Sequence, residues 1–140
     1  MDRWVKKKTT TVLLRLQFPS GLTFGPRKAA LLAGIRETGS IAAAGRGLQM
    51  SYKHAWYLVE ELNQVFGVPL IEAVKGGAGG GGARLTKAGE RALARYQKMH
   101  AACCEKIAPD LKALGAPSPS GEIRLKRLAG SDRRAPVRLK

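Results

Sequence analysis

Apolar and polar positions alternate from Thr9 to Phe18. Val12, Leu14, Leu16 and Phe18 fall on one side, and Thr11, Arg15 and Gln17 on the other. A period of two with β-branched residues predicts a half-buried strand, ended by Pro19, Ser20 and Gly21. The period then lengthens. Leu31, Leu32 and Ile35 recur at helical spacing between Pro26, a residue suited to a helix start, and Gly39, suited to its end. Ser40 follows as the N-cap of a shorter helix through Ile41, Ala44 and Leu48, whose Ala42, Ala43, Gly45 and Gly47 let a neighbour approach closely. Gln49 and Met50 make a turn, and Ser51 caps a third helix running to about Phe66, stopped by Gly67.

That third helix is amphipathic. Ala55, Leu58, Val59, Leu62 and Phe66 form its apolar stripe, with Lys53, Tyr57, Glu60 and Gln64 opposite. Tyr52, His54 and Trp56 lie on the flanks, Trp56 half in the core. The early exposed turns carry Tyr52, Lys53, His54 and Tyr57, while Glu60 and Glu61 come later. Pro69 opens a strand, Leu70 to Lys75, and Ala83 to Leu85 form a second one. The Gly76–Gly82 stretch between them predicts the tip of a hairpin. Thr86 caps a last helix, with Ala92, Tyr96, Met99, Cys103 and Ile107 at intervals of three and four, continuing to Leu111 and Leu114. Pro109 is expected to kink or break that helix near Ala108. The stripe is either core or a dimer seam, and its length favours the seam.

The architecture expected is mainly α with a small β component: a winged helix-turn-helix with a C-terminal dimerisation helix. Residues 1–8 form a basic lead containing Lys6, Lys7 and Lys8, and residues 9–115 the domain. Residues 116–140 form a disordered basic tail, with at most one weak strand around Ile123 to Leu128. Seven Lys and Arg side chains lie between Arg124 and Lys140.

Composition adds a partner. Lys and Arg number 25 against 10 Asp and Glu, a net charge of +15 in 140 residues. Such an excess opposes compaction, and a polyanion is its commonest cause, because neutralising phosphates releases condensed counterions. A membrane surface, an acidic protein or no specific partner are the other readings. The helix at Ser51 says where the polyanion would bind. Its N–H groups beyond the cap face outward, Lys53 can reach a base edge or a phosphate, and Tyr52 can donate to the backbone. The glycine tract lacks the Gly-Lys-Ser/Thr opening of a nucleotide-binding loop. It reads better as a wing tip that comes close to phosphates or enters the minor groove, with Lys75 and Arg84 supplying charge at its base, or else as a plain flexible linker. The DNA-contacting set is therefore Ser40, Ser51, Tyr52, Lys53, His54, Trp56, Tyr57, Lys75, Gly77, Gly79, Gly80, Arg84 and Thr86.

No catalytic grouping, metal site or cofactor is expected. Cys103 and Cys104 are adjacent and unsuited to bridging each other, and His54 and His100 are far apart. No apolar run of about 18 residues suggests a membrane span. Reduced cysteines and the lack of a secretory leader fit the cytoplasm.

These motifs together resemble a known family. Gly39-Ser40-Ile41-Ala42-Ala43-Ala44, Met50-Ser51-Tyr52-Lys53 with Ala55-Trp56, Glu61-Leu62-Asn63, the clusters Gly76-Gly77 and Gly79 to Gly82, and Ala83-Arg84-Leu85-Thr86 with Gly89 are similar to the DNA-binding domain of ModE-type molybdate-responsive regulators, relatives of the LysR-type winged helix. The resemblance covers about residues 10 to 114. It implies a bacterial transcription regulator that binds duplex DNA as a homodimer, with Ser51, Tyr52 and Lys53 starting the recognition helix and the N-terminal strand and last helix helping to build the dimer. Gln49 stands where such sequences carry Gly, so a left-handed turn there would cost about 1 kcal/mol. The family's oxyanion-binding TOBE/Mop domain is not recognisable in this sequence, which makes this a one-domain form. Molybdate would then be bound by a separate partner protein. The alternatives are a sequence-tolerant architectural protein, held on nucleic acid mainly by its tail, and a partner-binding module of the same fold.

Overall fold

The computed structural model describes residues 8–77 and 80–121. The elements run β1 (Leu16–Gln17), β2 (Thr23–Phe24), α1 (Pro26–Thr38), α2 (Ile41–Gly47), α3 (Tyr52–Val65), β3 (Ile71–Gly77), β4 (Gly80–Leu85) and α4 (Lys87–Ala113). The helices begin where the local chemistry directs. The Oγ of Ser40 accepts from the Ala43 N–H, that of Ser51 from the His54 N–H, and the Thr86 Oγ1 from the Gly89 N–H, each at 3.0 Å. Gly39, at φ +73°, ends α1, and Gln49 turns the chain into α3 at φ 59°. The turn thus keeps its left-handed residue without glycine.

Small residues bring the three helices together. A Cβ on Gly34 would lie 2.9 Å from the Ala44 Cβ, and one on Gly45 would lie 3.0 Å from that of Ala55. Leu31, Leu32, Ile35, Leu58, Leu62, Leu93 and Tyr96 fill the space inside. Ala55, Leu58, Val59 and Leu62 of the α3 stripe are buried as expected, but Phe66 is not. It is the residue after the last turn, and it stands edge-on to Phe18 and Phe24 with ring centres 5.5 and 5.7 Å away.

The hairpin is more regular than its sequence suggests. Glycines belong to both strands: Val74 pairs with Gly82 and Gly77 with Gly80, with a register shift between the two pairs. The hairpin is fixed at three places. Asn63 Oδ1 accepts from the N–H groups of Leu70 (2.8 Å) and Ile71 (2.9 Å). Ala83 N–H donates to the Gly39 carbonyl at 3.0 Å, and Thr86 Oγ1 donates to the Pro69 carbonyl at 2.8 Å. Where α4 passes under the start of the hairpin, only glycine fits: a Cβ on Gly89 would run into the Leu70 carbonyl.

Two expectations are revised in α4. Of the kink or break expected at Pro109, the break does not occur: the helix continues to Ala113. A proline there forfeits one backbone hydrogen bond, to the carbonyl of Glu105, and that turn is exposed enough for water to replace it. The buried stripe is also displaced from the expected one. Gly89, Leu93, Tyr96, His100 and Cys104 face inward, while Met99 and Leu114 are exposed and Cys103, Ile107 and Leu111 are half-buried.

The inward polar groups explain the N-terminal segment. Burial alternates from residue 11 to 18 as a strand requires, yet only Leu16 and Gln17 pair with another strand, β2. Farther back, the partner is a helix. Tyr96 Oη–H donates to the Leu14 carbonyl at 2.6 Å, and His100 Nε2 lies 2.8 Å from the Val12 carbonyl. A carbonyl only accepts, so His100 carries its proton on Nε2. Thr10 is held by residues beyond the domain's expected end at 115. Its N–H donates to the Ser118 carbonyl (2.7 Å), its carbonyl accepts from the Ser120 N–H (2.9 Å), and the Cys104 thiol donates to the Ser120 carbonyl (3.3 Å). The first part of the expected tail, residues 116–121, is therefore ordered against α4. Residues 122–140, including the expected weak strand, lie outside the described residues, as does the 1–7 part of the lead.

Burial, then the nearby charge of Cys103, pushes the Tyr96 phenol from its ordinary value of 10 up to about 12. A raised folded value means that the stabilisation is complete below pH 10 and is lost as the pH climbs from 10 towards 12. Chemical denaturation across that range is expected to show a steeper loss of stability for the wild type than for Tyr96→Phe. Parallel curves would remove the phenol from the account.

Candidate nucleic-acid interface

The first turn of α3 projects from the body of the domain. Tyr52 is 62% exposed, and Ser51 and Lys53 are also exposed. Lys53 enters no ion pair among the described residues. The Ser51 hydroxyl is occupied by its cap, which leaves the neighbouring N–H groups of the helix start and its positive dipole end facing outward with Lys53.

On one flank of α3, a cleft of about 410 Å³ separates the helix pair from the hairpin. Ser40, Tyr52 and Trp56 line one wall, and Glu72, Ala73 and Gly82 line the other. Trp56, 41% exposed, packs edge-on to Tyr52 at 6.3 Å, so the two rings brace each other at the cleft mouth. On the opposite flank, His54 stacks on Tyr57 at 6.2 Å and borders a second cleft of about 390 Å³ with Arg15, Arg27, Lys28 and Glu61. Arg15 and Arg27, absent from the expected set, extend the basic surface there; the alternation puts Arg15 on the outer side of its strand but does not say that α3 lies beside it.

Several expected contacts have prior engagements. Tyr57 donates to Glu61, one helical turn on, and this hydrogen bond, then the Glu61 charge, raises its phenol. Desolvation by itself would raise the Glu61 carboxyl. The hydrogen bonds from Lys28 and Tyr57, with the charges of Lys28 and His54, outweigh it and hold the group below its ordinary range. Arg84 reaches across the hairpin to Glu72, with Nε 2.8 Å from Oε2. Both are well exposed, so this pair is weak and screened, and a phosphate can displace the carboxylate. Thr86 spends its hydroxyl on the cap and the Pro69 carbonyl, which makes it a positioning residue for the hairpin and α4. Lys75 is exposed on β3, and Gly77 and Gly80 pair near the hairpin end; Gly79 lies outside the described residues.

The structure thus brings together a helix-turn-helix, α2 and α3, with an exposed second helix and a hairpin pinned beside it. Residues 26–90 match the family of bacterial regulatory helix-turn-helix proteins, lysR family. This segment is a LysR-family helix-turn-helix domain. The chain is 41% identical over 95 residues to the molybdenum-pterin-binding protein MopB of Rhodobacter capsulatus, covering 68% of this chain and 35% of MopB. It is 41% identical over 88 residues to the transcriptional regulator ModE of Yersinia pestis, covering 63% and 34%. For the DNA-binding transcriptional dual regulator ModE of Escherichia coli, identity is 40% over 88 residues, with the same 63% and 34%. The chain therefore spans about a third of the length of these curated relatives. Among solved structures, the CbnR DNA-binding domain in its DNA complex superposes with a TM-score of 0.52 at 22% identity, covering 65% of this chain and 99% of that one. That likeness shows the fold, a winged helix-turn-helix. No described helix is long and apolar enough to cross a membrane.

Proposed function

We propose that the chain is a sequence-specific DNA-binding transcription regulator of the ModE type, acting in the bacterial cytoplasm on duplex DNA and not as an enzyme. α3 enters the major groove by its N-terminal end, and the β3–β4 hairpin is the wing. The observation that carries this reading is the first turn of α3. Tyr52 and Lys53 stand exposed on a capped helix start that lies ahead of the helix's acidic residues, Glu60 and Glu61, beside a cleft closed by the hairpin. The 41% identity to a named transcriptional regulator and the DNA complex of the structural neighbour support it.

In this reading the protein is a homodimer. The partly open Cys103, Ile107, Leu111 and Leu114 side of α4 forms the seam, and two copies of α3 meet successive half-sites. MopB is by name a molybdenum-pterin-binding protein; here a molybdate signal would arrive from a separate molybdate-binding protein.

The basic tail separates this proposal from a sequence-tolerant coating protein. Because residues 117–120 hold Thr10 and Cys104, the informative truncation ends at Gly121 rather than at Ala116. It removes seven Lys and Arg side chains. Binding to any duplex is expected to weaken and its salt slope to flatten, while the ratio between preferred and scrambled duplex is preserved. Loss of that ratio in the truncated chain would favour the coating protein.

A further inference from the structure

At the end of α3 away from Tyr52, the surface changes character. An apolar groove of about 500 Å³ runs between β1, the C-terminal end of α3 and the first turns of α4. Leu16, Phe18 and Leu70 form its floor. Phe66, Val68 and Met99 stand around it with 43%, 47% and 39% of their surfaces in water. Three large apolar side chains exposed in one concavity mark a surface that is covered in use.

The rim indicates what covers it. Arg91 and Arg95 line the groove one helical turn apart, both exposed, and neither joins an ion pair among the described residues. The adjacent carboxylate, Glu90, is turned to Arg36 on α1, 3.6 Å away. A second copy laid on the same groove by two-fold symmetry would bring these arginines towards their own equivalents on a chain of net charge +15. An acidic partner has the opposite sign.

We propose that this groove is a docking site for an acidic amphipathic helix of another protein, with aliphatic side chains against Phe66 and Met99 and carboxylates on Arg91 and Arg95. The site is separate from the DNA face. α3 is 14 residues long, so about 20 Å of helix lies between Tyr52 and Phe66. Towards the proposed dimer seam it is continuous: Met99 borders the groove, and Cys103 lies one turn beyond it on α4. Duplex and acidic helix can be held at once. The site thus gives a DNA-bound regulator a contact through which another protein acts on it, and its existence does not depend on which sequence is read.

The test is a titration of the isotope-labelled full chain with a synthetic peptide carrying leucines at helical spacing on one face and glutamates on the other. A second peptide with lysine for every glutamate serves as control. The acidic peptide is expected to shift the signals of Phe66, Val68 and Met99 saturably, with duplex present or absent, and the lysine peptide to leave them unmoved. Met99→Glu and the double variant Arg91→Ala/Arg95→Ala are each expected to weaken the peptide at least tenfold. Both changes are at exposed positions, and an unchanged circular dichroism spectrum verifies the fold. Three results would overturn the proposal: no shifts at the groove, shifts confined to Tyr52 and Lys53 that duplex displaces, or groove signals that move when the chain alone is diluted, which would mean a second copy sits there. A separate duplex titration followed at Tyr52 and Lys53 reports on DNA reading, so either idea can fail without the other.

Discussion

Replacing Glu61 by Ala is expected to cost about 3 kcal/mol of folding stability, although Glu61 lies outside the core cluster. The reason is its partner. Lys28 is 5% exposed, in the first turn of α1, and its Nζ lies 2.8 Å from Glu61 Oε1 on α3 and 2.8 Å from the Thr23 carbonyl. Removing the carboxylate leaves an ammonium held under the edge of the core by one carbonyl and by the Thr23 hydroxyl at 3.5 Å. The pair itself contributes much less than its rupture costs, because both charges had to leave water. The double variant Lys28→Met/Glu61→Leu should therefore regain most of the lost stability. Urea denaturation of the three variants checks this. A Glu61→Ala protein within about 0.5 kcal/mol of wild type, the range of ordinary surface substitutions, would contradict it. Acid works in the same direction. The folded carboxyl lies below its ordinary value of 4.5, so its stabilisation is complete above that value and disappears as the pH falls through the folded one.

The second large effect is on binding. Lys53→Ala is expected to reduce the preference for the cognate duplex by about 1–3 kcal/mol, roughly five- to 150-fold, and to leave binding to scrambled duplex little changed. Lys53 is exposed on the first turn of α3 and enters no described ion pair, so the substitution leaves no buried group behind and the fold intact. Lys75→Ala is the contrasting case. At the hairpin it meets phosphate in this account, so its loss should weaken both duplexes alike and lower the salt slope by about one. Fluorescence anisotropy at several salt concentrations distinguishes the two. Equal losses on both duplexes for Lys53→Ala would make it a phosphate contact and α3 a non-reading helix.

What the sequence reveals about this fold is chiefly local. Ser40, Ser51 and Thr86 announce helix starts because a cap is decided within three residues, and Gly39 and Gly67 announce helix ends for the same reason. The exposed turn of α3 is legible because the amphipathic period locates its outer face. Contacts between distant elements are not. Nothing near Lys28 signals a carboxylate on α3. The α4 stripe misleads because His100 looks polar and Met99 apolar, yet His100 is drawn inward by the Val12 carbonyl and Met99 is left at the groove. The alternation in residues 11–18 correctly signals an extended segment, but an alternation cannot say that Tyr96 and His100, more than 80 residues away, take the place of a neighbouring strand. Thr86 illustrates the converse: a hydroxyl beside the candidate wing suggests a phosphate ligand until its two partners are seen.

Whether α3 and the hairpin read a sequence is decided by selection from a library of random duplexes with the full chain. Enrichment of one motif is expected, repeated as two half-sites related by two-fold symmetry about one helical turn, roughly 10 base pairs, apart. Lys53→Ala is expected to weaken this enrichment. Even recovery of all sequences after several rounds, with affinity following net charge and salt alone, would contradict sequence reading.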